Sequence, residues 1–404
     1  LSWALRNTLY VSGLVIIPYL YVAWRLIISA KILWPEYARL SRSIVILLFV
    51  WVNILPLILL YYYSRDMLTD EFIYKYQINA TDYLFLFTFW IGLIIIVEIL
   101  PYFLASDILE IIGRFVLSNY KELIHKWLAI LKIAIFLFFT IYVITVSLLD
   151  TYKISESQFT IQVRDLPDAL DNLNITLIAD LQVDRFTQKY KINGVKKAIA
   201  NAEPDLLFFA GDLVTRGTHF INQAKNVMCD LHATTARIAC MGDHDYWAEP
   251  EKISHSLQEC GWFFLQNEHR IINYKDTKIL VTGITYIYSQ RISPSQLTFL
   301  LRDAPQADIK ILLVHQPSNL VIEKAEEFGY NILLAGHTHG GQVVFRPFGF
   351  ALTPTIFENE FYSGYTKQNE LNIFVSNGIG LTLMPLRYHA PAEVTTITLQ
   401  KYDK

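Results

Sequence analysis

Leu333-Leu334-Ala335-Gly336-His337-Thr338-His339-Gly340-Gly341-Gln342 decides how the rest of the chain is read. A short apolar run stops abruptly at Gly-His-Thr-His-Gly-Gly. That pattern describes a buried strand whose end opens into a glycine-rich turn carrying two imidazoles. Histidines two residues apart on such a turn can reach different metal ions a few ångströms apart. The glycines after them let the backbone approach closely, with no Cβ in the way. Taken alone, a His-x-His pair is as well explained by a surface loop. The upstream chain has to supply the missing ligands.

It does so at regular intervals. From about residue 155 short apolar runs alternate with polar helical stretches. Strands are expected over 174–179, 205–210, 237–241, 309–314 and 331–335, with helices over 191–202, 219–233 and 318–328. This order predicts an α/β domain over 155–404, in which ligands gather at the C-terminal ends of the strands. Those ends read Asp180-Leu181-Gln182, Gly211-Asp212, Gly242-Asp243-His244-Asp245, His315 and Gly336-His337-Thr338-His339. Carboxylates and imidazoles suit Mn, Fe or Zn. One cluster is weak evidence; five in succession predict a site for two cations.

The first 150 residues have another texture. Hydrophobic residues make up 53% of the 404-residue chain, and its mean hydropathy is +0.31. Both are high for a soluble protein of this size, and most long apolar runs lie before residue 150. Stretches 8–30, 44–63, 83–104 and 127–149 each reach the roughly 20 residues that span a hydrocarbon core. Trp34, Tyr61, Tyr62, Tyr63, Tyr83, Trp127 and Tyr152 sit at their expected boundaries. We read 1–150 as a four-helix membrane domain, with 106–125 as an interfacial amphipathic helix or a plain connector. Arg25 and Lys132 are expected to snorkel to the headgroups, and Glu98 to sit near the interface.

Lys31, Arg39 and Arg42 follow the first stretch, and Arg114, Lys121 and Lys126 the third. Arg65 and Lys75 stand against Asp66, Asp70, Glu71 and Asp82 after the second. The positive-inside rule therefore puts the half after residue 150 outside the cytoplasm, on a bacterial inner or plasma membrane. The net charge of −3 implies no general affinity for nucleic acid. Cys229, Cys240 and Cys260 are too few for a disulfide framework and leave the redox compartment open. Nothing in the sequence sets an oligomeric state.

The ordered series of strand-end clusters resembles the calcineurin-like metallophosphoesterase superfamily over about 161–399. The tail, Phe374-Val375-Ser376-Asn377-Gly378-Ile379-Gly380 followed by Pro385-Leu386-Arg387-Tyr388, is similar to its membrane-associated branch. The resemblance implies a four-layer αββα sandwich and a dinuclear metal centre, with Mn expected first and Fe or Zn as alternatives. Carried over by position, Asp180, Gln182 and His339 would hold one metal, Asp212 would bridge, and Asp243, His315 and His337 would hold the other. His244 would serve as acid or phosphate contact, oriented by Asp245. Arg216 is either a phosphate clamp or a surface arginine. Gln182 replaces the family's usual histidine and Asp243 its usual asparagine, so the first site would be weaker and the second stronger.

The implied activity is hydrolysis of a phosphoester by metal-activated hydroxide. A lipid or lipid-linked substrate is expected from the membrane domain. Tyr286, Ile287, Tyr288, Phe345, Phe348, Phe350, Phe357 and Phe361 are read as an acyl groove or as core and dimer contacts. Two other readings stay open. One is a cytoplasm-facing pyrophosphatase of a nucleotide-linked lipid, similar to the UDP-2,3-diacylglucosamine hydrolases. The other is a non-catalytic, metal-stabilised sensor or binding module.

Overall fold

The structure, a computed structural model, describes residues 3–68 and 77–402. Asp70, Glu71 and Lys75, three of the charges used for the expected orientation, lie outside them. The chain divides into two compact units. One holds residues 1–149 together with 344–352 and 383–389; the other holds 150–343, 353–382 and 390–404.

The first unit is built from helices α1 (Trp3–Leu33), α2 (Ala38–Val52), α3 (Leu55–Ser64), α4 (Thr88–Val116) and the greater part of α5 (Lys121–Tyr152). Among the described residues, three helical stretches are long and apolar enough to cross a membrane: Leu5–Leu33, Asp82–Val116 and Ser118–Tyr152. The expected span at 44–63 is instead broken between α2 and α3, which meet at 44°. Pro56 has no N–H to pair with the Val52 carbonyl and its ring crowds that oxygen. The Asn53 amide takes the Phe49 carbonyl at 2.8 Å as the helix ends. Only as a bent pair would these helices make a fourth span.

Stretch 106–125 is not a separate helix. Helix α4 runs unbroken to Val116, a short 3-10 turn follows at Ser118–Tyr120, and α5 starts at Lys121. Two of the charges that made this stretch look amphipathic, Asp107 and Glu110, point into the unit, while Arg114, Lys121 and Glu122 are exposed. Arg25 pairs with Asp107 and, at 3.1 Å, with Glu110. Lys132 lies 3.0 Å from Asp107 and 3.4 Å from Glu110, and Tyr21 donates to Asp107 at 2.7 Å. Lys132 is 2% exposed. Arg25 and Lys132 therefore do not snorkel. They are paired, because an unpaired charge among apolar helices costs several kcal/mol. Glu98 is also buried.

The second unit stacks two six-stranded sheets. The first has the order β1 (Ile154–Val163), β12 (Ala392–Lys401), β2 (Asn174–Ile178), β3 (Leu206–Phe209), β4 (Ala236–Cys240), β5 (Phe263–Leu265). The second runs β10 (Gly364–Gln368), β11 (Leu371–Val375), β9 (Ile332–Ala335), β8 (Ile309–Val314), β7 (Thr277–Ile284), β6 (Glu268–Tyr274). Strand side chains alternate between two cores. Leu206 and Phe208 join Val281, Ile311 and Leu313 between the sheets. Leu207 and Phe209 pack instead against α6 (Lys189–Ala202), α7 (Ile221–Cys229) and α9 (Pro250–Glu259). On the far side, Leu312, Val314 and Leu333 meet α10 (Pro294–Arg302) and α11 (Asn319–Glu327). These are the four layers of an αββα sandwich.

Cys229, the last residue of α7, is bonded to Cys260, the C-cap of α9, with Cα atoms 4.9 Å apart. Cys240 is buried and free.

Candidate metal centre

Strands β2, β3 and β4 are parallel neighbours, as are β8 and β9. Each releases its chain at the same end into a tight turn carrying a site residue. Asp180 and Gln182 follow β2, Asp212 follows β3, His315 follows β8, and His337 and His339 follow β9. Asp243 opens helix α8 (Asp243–Ala248) after β4. Five of these residues have positive φ: Asp180 (50°), Gln182 (40°), Asp212 (65°), His337 (74°) and His339 (51°). Such conformations cost non-glycine residues about 1–3 kcal/mol each and cluster where function demands a side-chain direction. Hydrogen bonds hold them in place here. The Gln182 carbonyl accepts from the hydroxyls of Thr187 (3.1 Å) and Thr215 (3.0 Å).

The turns assemble two overlapping groups. In the first, the Gln182 amide Nε2 lies 3.2 Å from both Asp212 Oδ2 and His339 Nε2, and His339 Nε2 is 3.5 Å from Asp180 Oδ1. In the second, His315 Nε2 is 3.4 Å from Asp212 Oδ2 and from Asp243 Oδ2, and His337 Nδ1 is 3.0 Å from Asp243 Oδ2. Asp212 belongs to both. Its Oδ1 accepts the His244 N–H at 2.8 Å, which leaves Oδ2 to the centre. Asp243 divides its oxygens in the same way, with Oδ1 taking the Tyr288 N–H at 2.6 Å. All seven side chains predicted as ligands are thus brought together.

The centre fits cations. Asp180, Asp212, Asp243, His315 and His339 are buried. Asp243, His315 and His337 offer ligand atoms within 4.8 Å of one another, as do Asp180, Asp212 and His315. Gln182 Oε1 and His315 Nε2 are buried without a hydrogen-bond partner. A half-turn of the Gln182 amide exchanges Oε1 for Nε2, placing an acceptor between Asp212 and His339. Burial, with the nearby Asp212 charge, pushes the Asp180 carboxyl up to about 7, against the pull of His315. Burial also opposes charge on Asp212 and Asp243, yet His315 and, for Asp243, His337 hold both below the usual carboxylate range. His315 is buried too, but Asp212 and Asp243 raise it well above an ordinary imidazole. Such a crowd of buried carboxylates is what bound dications offset.

Asp245 differs from expectation. It does not orient His244, because its oxygens accept the backbone N–H groups of Gly242 (3.0 Å), Asp212 (2.8 Å) and Leu213 (2.7 Å). It therefore fixes the two turns that carry Asp212 and Asp243. His244 takes its partner from the Thr215 carbonyl, at Nδ1. Arg216 is exposed on the turn after Thr215.

Three contributors were not predicted in their roles. Gln316 donates to Asp243 Oδ2 at 3.0 Å and lies 3.3 Å from His337 Nε2. Glu358 Oε1 is 3.2 Å from that same nitrogen and accepts from the Tyr288 hydroxyl. Gln316 directly follows His315, so adjacency was a usable signal. Glu358 is 19 residues beyond His339 on a turn without periodicity, and nothing in the sequence marks it. The expected acyl groove does not form as one set. Ile287 is core, Tyr286 and Phe361 pack on the second sheet's helices, and Phe345, Phe348 and Phe350 belong to the helical unit.

A family model described as calcineurin-like phosphoesterase matches residues 173–341. The chain is 27% identical over 256 residues to the uncharacterized metallophosphoesterase YkuE of Bacillus subtilis, covering 62% of this chain and 87% of that one. It is 25% identical over 256 residues to an uncharacterized metallophosphoesterase of Aquifex aeolicus, covering 62% and 94%. To the transmembrane protein with metallophosphoesterase domain of Danio rerio it is 24% identical over 251 residues, 60% of this chain and 56% of that one. A 5'-nucleotidase precursor structure from Thermus thermophilus superposes with a TM-score of 0.37 at 11% identity, over 57% of this chain and 54% of that one. That likeness is too slight to argue from. With the centre described above, the family match identifies a calcineurin-like phosphoesterase domain at residues 173–341, and it supports a phosphoester hydrolase with apolar helices ahead of that domain.

Proposed function

We propose that this chain is a membrane-anchored, dinuclear-metal phosphoesterase acting on a lipid or lipid-linked phosphoester outside the cytoplasm. The observation that carries the reading is the sharing of Asp212 Oδ2 between the Gln182 amide (3.2 Å) and His315 (3.4 Å). Two divalent ions held there supply a water with a pKa lowered to about 7 and positive charge for the phosphoryl oxygens. Asp180, Gln182, Asp212 and His339 would hold one ion, and Asp212, Asp243, His315 and His337 the other. Mn suits the harder oxygen donor that Gln182 brings to the first site.

The chain's own groups then divide the work. The Thr215 carbonyl fixes a proton on His244 Nδ1 and leaves Nε2 to meet the leaving oxygen. Arg216, exposed one residue on, clamps a non-bridging oxygen through its planar fork. Asp180, Asp212 and Asp243 together would leave one net positive charge on a pair of dications, which favours an anionic phosphoester.

The Cys229–Cys260 bond, which persists in oxidising compartments, supports the extracytoplasmic assignment; so does the excess of Lys and Arg after the first and third apolar stretches, provided that the bent α2–α3 pair crosses the membrane as one span. They disfavour the cytoplasm-facing pyrophosphatase. The test is a screen of lipid phosphomonoesters, phosphodiesters and pyrophosphates in detergent with Mn, Zn and Fe, beside a reporter fusion after Leu149. Mn-dependent turnover and an external reporter are expected. No turnover on any class would overturn the enzymatic reading, and an internal reporter the topology.

A further inference from the structure

The helical unit includes two pieces of chain from the sequence's other half, 344–352 and 383–389. The first leaves the turn that carries His337 and His339, and the second leaves a turn bonded to the backbone of Asp180. Val344 is five residues past His339, and Leu383 is three past Gly380, whose N–H donates to the Asp180 carbonyl at 2.6 Å. Helices α4 and α5 hold both pieces by specific bonds. Buried Glu98 accepts the Arg346 N–H at 3.4 Å. Tyr102 accepts the Phe348 N–H at 3.0 Å, with the two rings 4.6 Å apart. The Tyr142 hydroxyl meets His389 Nε2 at 2.8 Å. The pieces are also tied to each other, through Val344 N–H to the Tyr388 carbonyl (2.9 Å) and His389 Nδ1 to the Val344 carbonyl (3.0 Å).

This anchoring leaves large apolar side chains outside: Phe348 is 59% exposed, Phe350 71%, Leu352 54% and Leu383 58%. Each forgoes the gain of burial if it faces water. They belong to the same compact unit as helices long and apolar enough to cross a membrane, so the surface that needs a covering continues one already suited to acyl chains. Tyr102, Tyr142, His389 and Arg346 supply the amphipathic and basic groups found at the boundary between headgroups and chains. A carboxylate buried among such helices needs a purpose, and holding the Arg346 backbone provides one for Glu98.

We propose that 344–352 and 383–389 form a surface that dips into the acyl region of the bilayer, with Glu98, Tyr102 and Tyr142 as its positioning residues. The proposal deepens the lipid-substrate reading. Its experiment reads lipid contact without turnover, so either can fail alone. Full-length Phe350→Cys, Leu352→Cys and Leu383→Cys variants are spin-labelled in phosphatidylcholine–phosphatidylglycerol vesicles, with exposed Phe299→Cys as the aqueous control. Cys229 and Cys260 are paired and Cys240 is buried, which keeps them from the label. The ratio of collisions with oxygen to collisions with a nickel chelate is expected to be severalfold higher at the three sites than at the control. A ratio equal to the control overturns the proposal, as does one that falls on diluting protein in lipid, which would mean that a second copy covers the surface. Glu98→Leu is expected to lower the ratio and Glu98→Gln, which keeps an acceptor, to preserve it. Should Glu98→Leu not fold, Tyr142→Phe replaces it. An unchanged ratio in the folded variant overturns the positioning role.

Discussion

Gln182 Nε2 and His339 Nε2 stand 3.2 Å apart although 157 residues separate them in the chain. This pairing makes the first metal position an amide–imidazole site where the family more often has two imidazoles. An amide oxygen is the weaker donor to a transition metal. Gln182→His is therefore expected to tighten Mn and Zn binding at the first position by about tenfold, or roughly 1.4 kcal/mol. Calorimetric titration of the metal-stripped protein measures it. Weaker binding of every metal would mean that the glutamine has another task.

Glu358 bears on His337 from the side away from Asp243. Partners of this kind fix ring orientation and raise donor strength, and their loss typically costs about 10–100-fold in metal affinity. Glu358→Leu should weaken the second position by that factor and leave the first unchanged. Equal affinities for the variant and the unaltered protein would show that the contact is incidental.

Gly242 lies against the shared carboxylate. A Cβ there would stand 2.1 Å from Asp212 Oδ1 and 2.3 Å from Asp212 N. Gly242→Ala should lower stability by about 1–3 kcal/mol through overpacking and displace Asp212, with loss of turnover. Thermal unfolding of the detergent-solubilised protein reads the first effect; an unshifted midpoint with full activity would count against the packing described.

The Cys229–Cys260 bond closes a loop with a sequence separation of 31, for which chain-entropy arguments give about 3.7 kcal/mol. Cys229→Ser, or reductant added to the unaltered protein, should lower the unfolding midpoint of the phosphoesterase half. Identical midpoints with and without reductant would indicate that the thiols are not bonded.

The sandwich was legible because its central strands are buried on both faces. Runs such as Leu206–Phe209 and Ile309–Val314 are continuously apolar and end at ligands, so pattern and chemistry agree. Strands β1, β6, β10 and β12 carry polar residues on partly solvated faces, and their assignment depends on partners far along the chain. The seven ligands were legible because each sits within four residues of a strand end. The role of Asp245 was not, since nothing in Asp-His-Asp tells which neighbour the second carboxylate binds. The membrane half was less legible in two places, for related reasons. Pro56 bends the second apolar stretch by acting on Val52 through helix geometry, and Asp107 and Glu110 of 106–125 face Arg25 and Lys132 from other helices. The placement of 344–352 and 383–389 with the helices follows from bonds to Glu98, Tyr102 and Tyr142, which no residue pattern encodes.

The most direct test of the central claim is metal content, by elemental analysis, against turnover of an aryl phosphodiester as Mn is returned to chelator-stripped protein. The account predicts two ions per chain, turnover that rises with the second, and loss of turnover by about a thousandfold in Asp212→Asn with reduced occupancy and helical content unchanged. Full turnover with one ion or none, or an Asp212→Asn variant that keeps both ions and its activity, would contradict it.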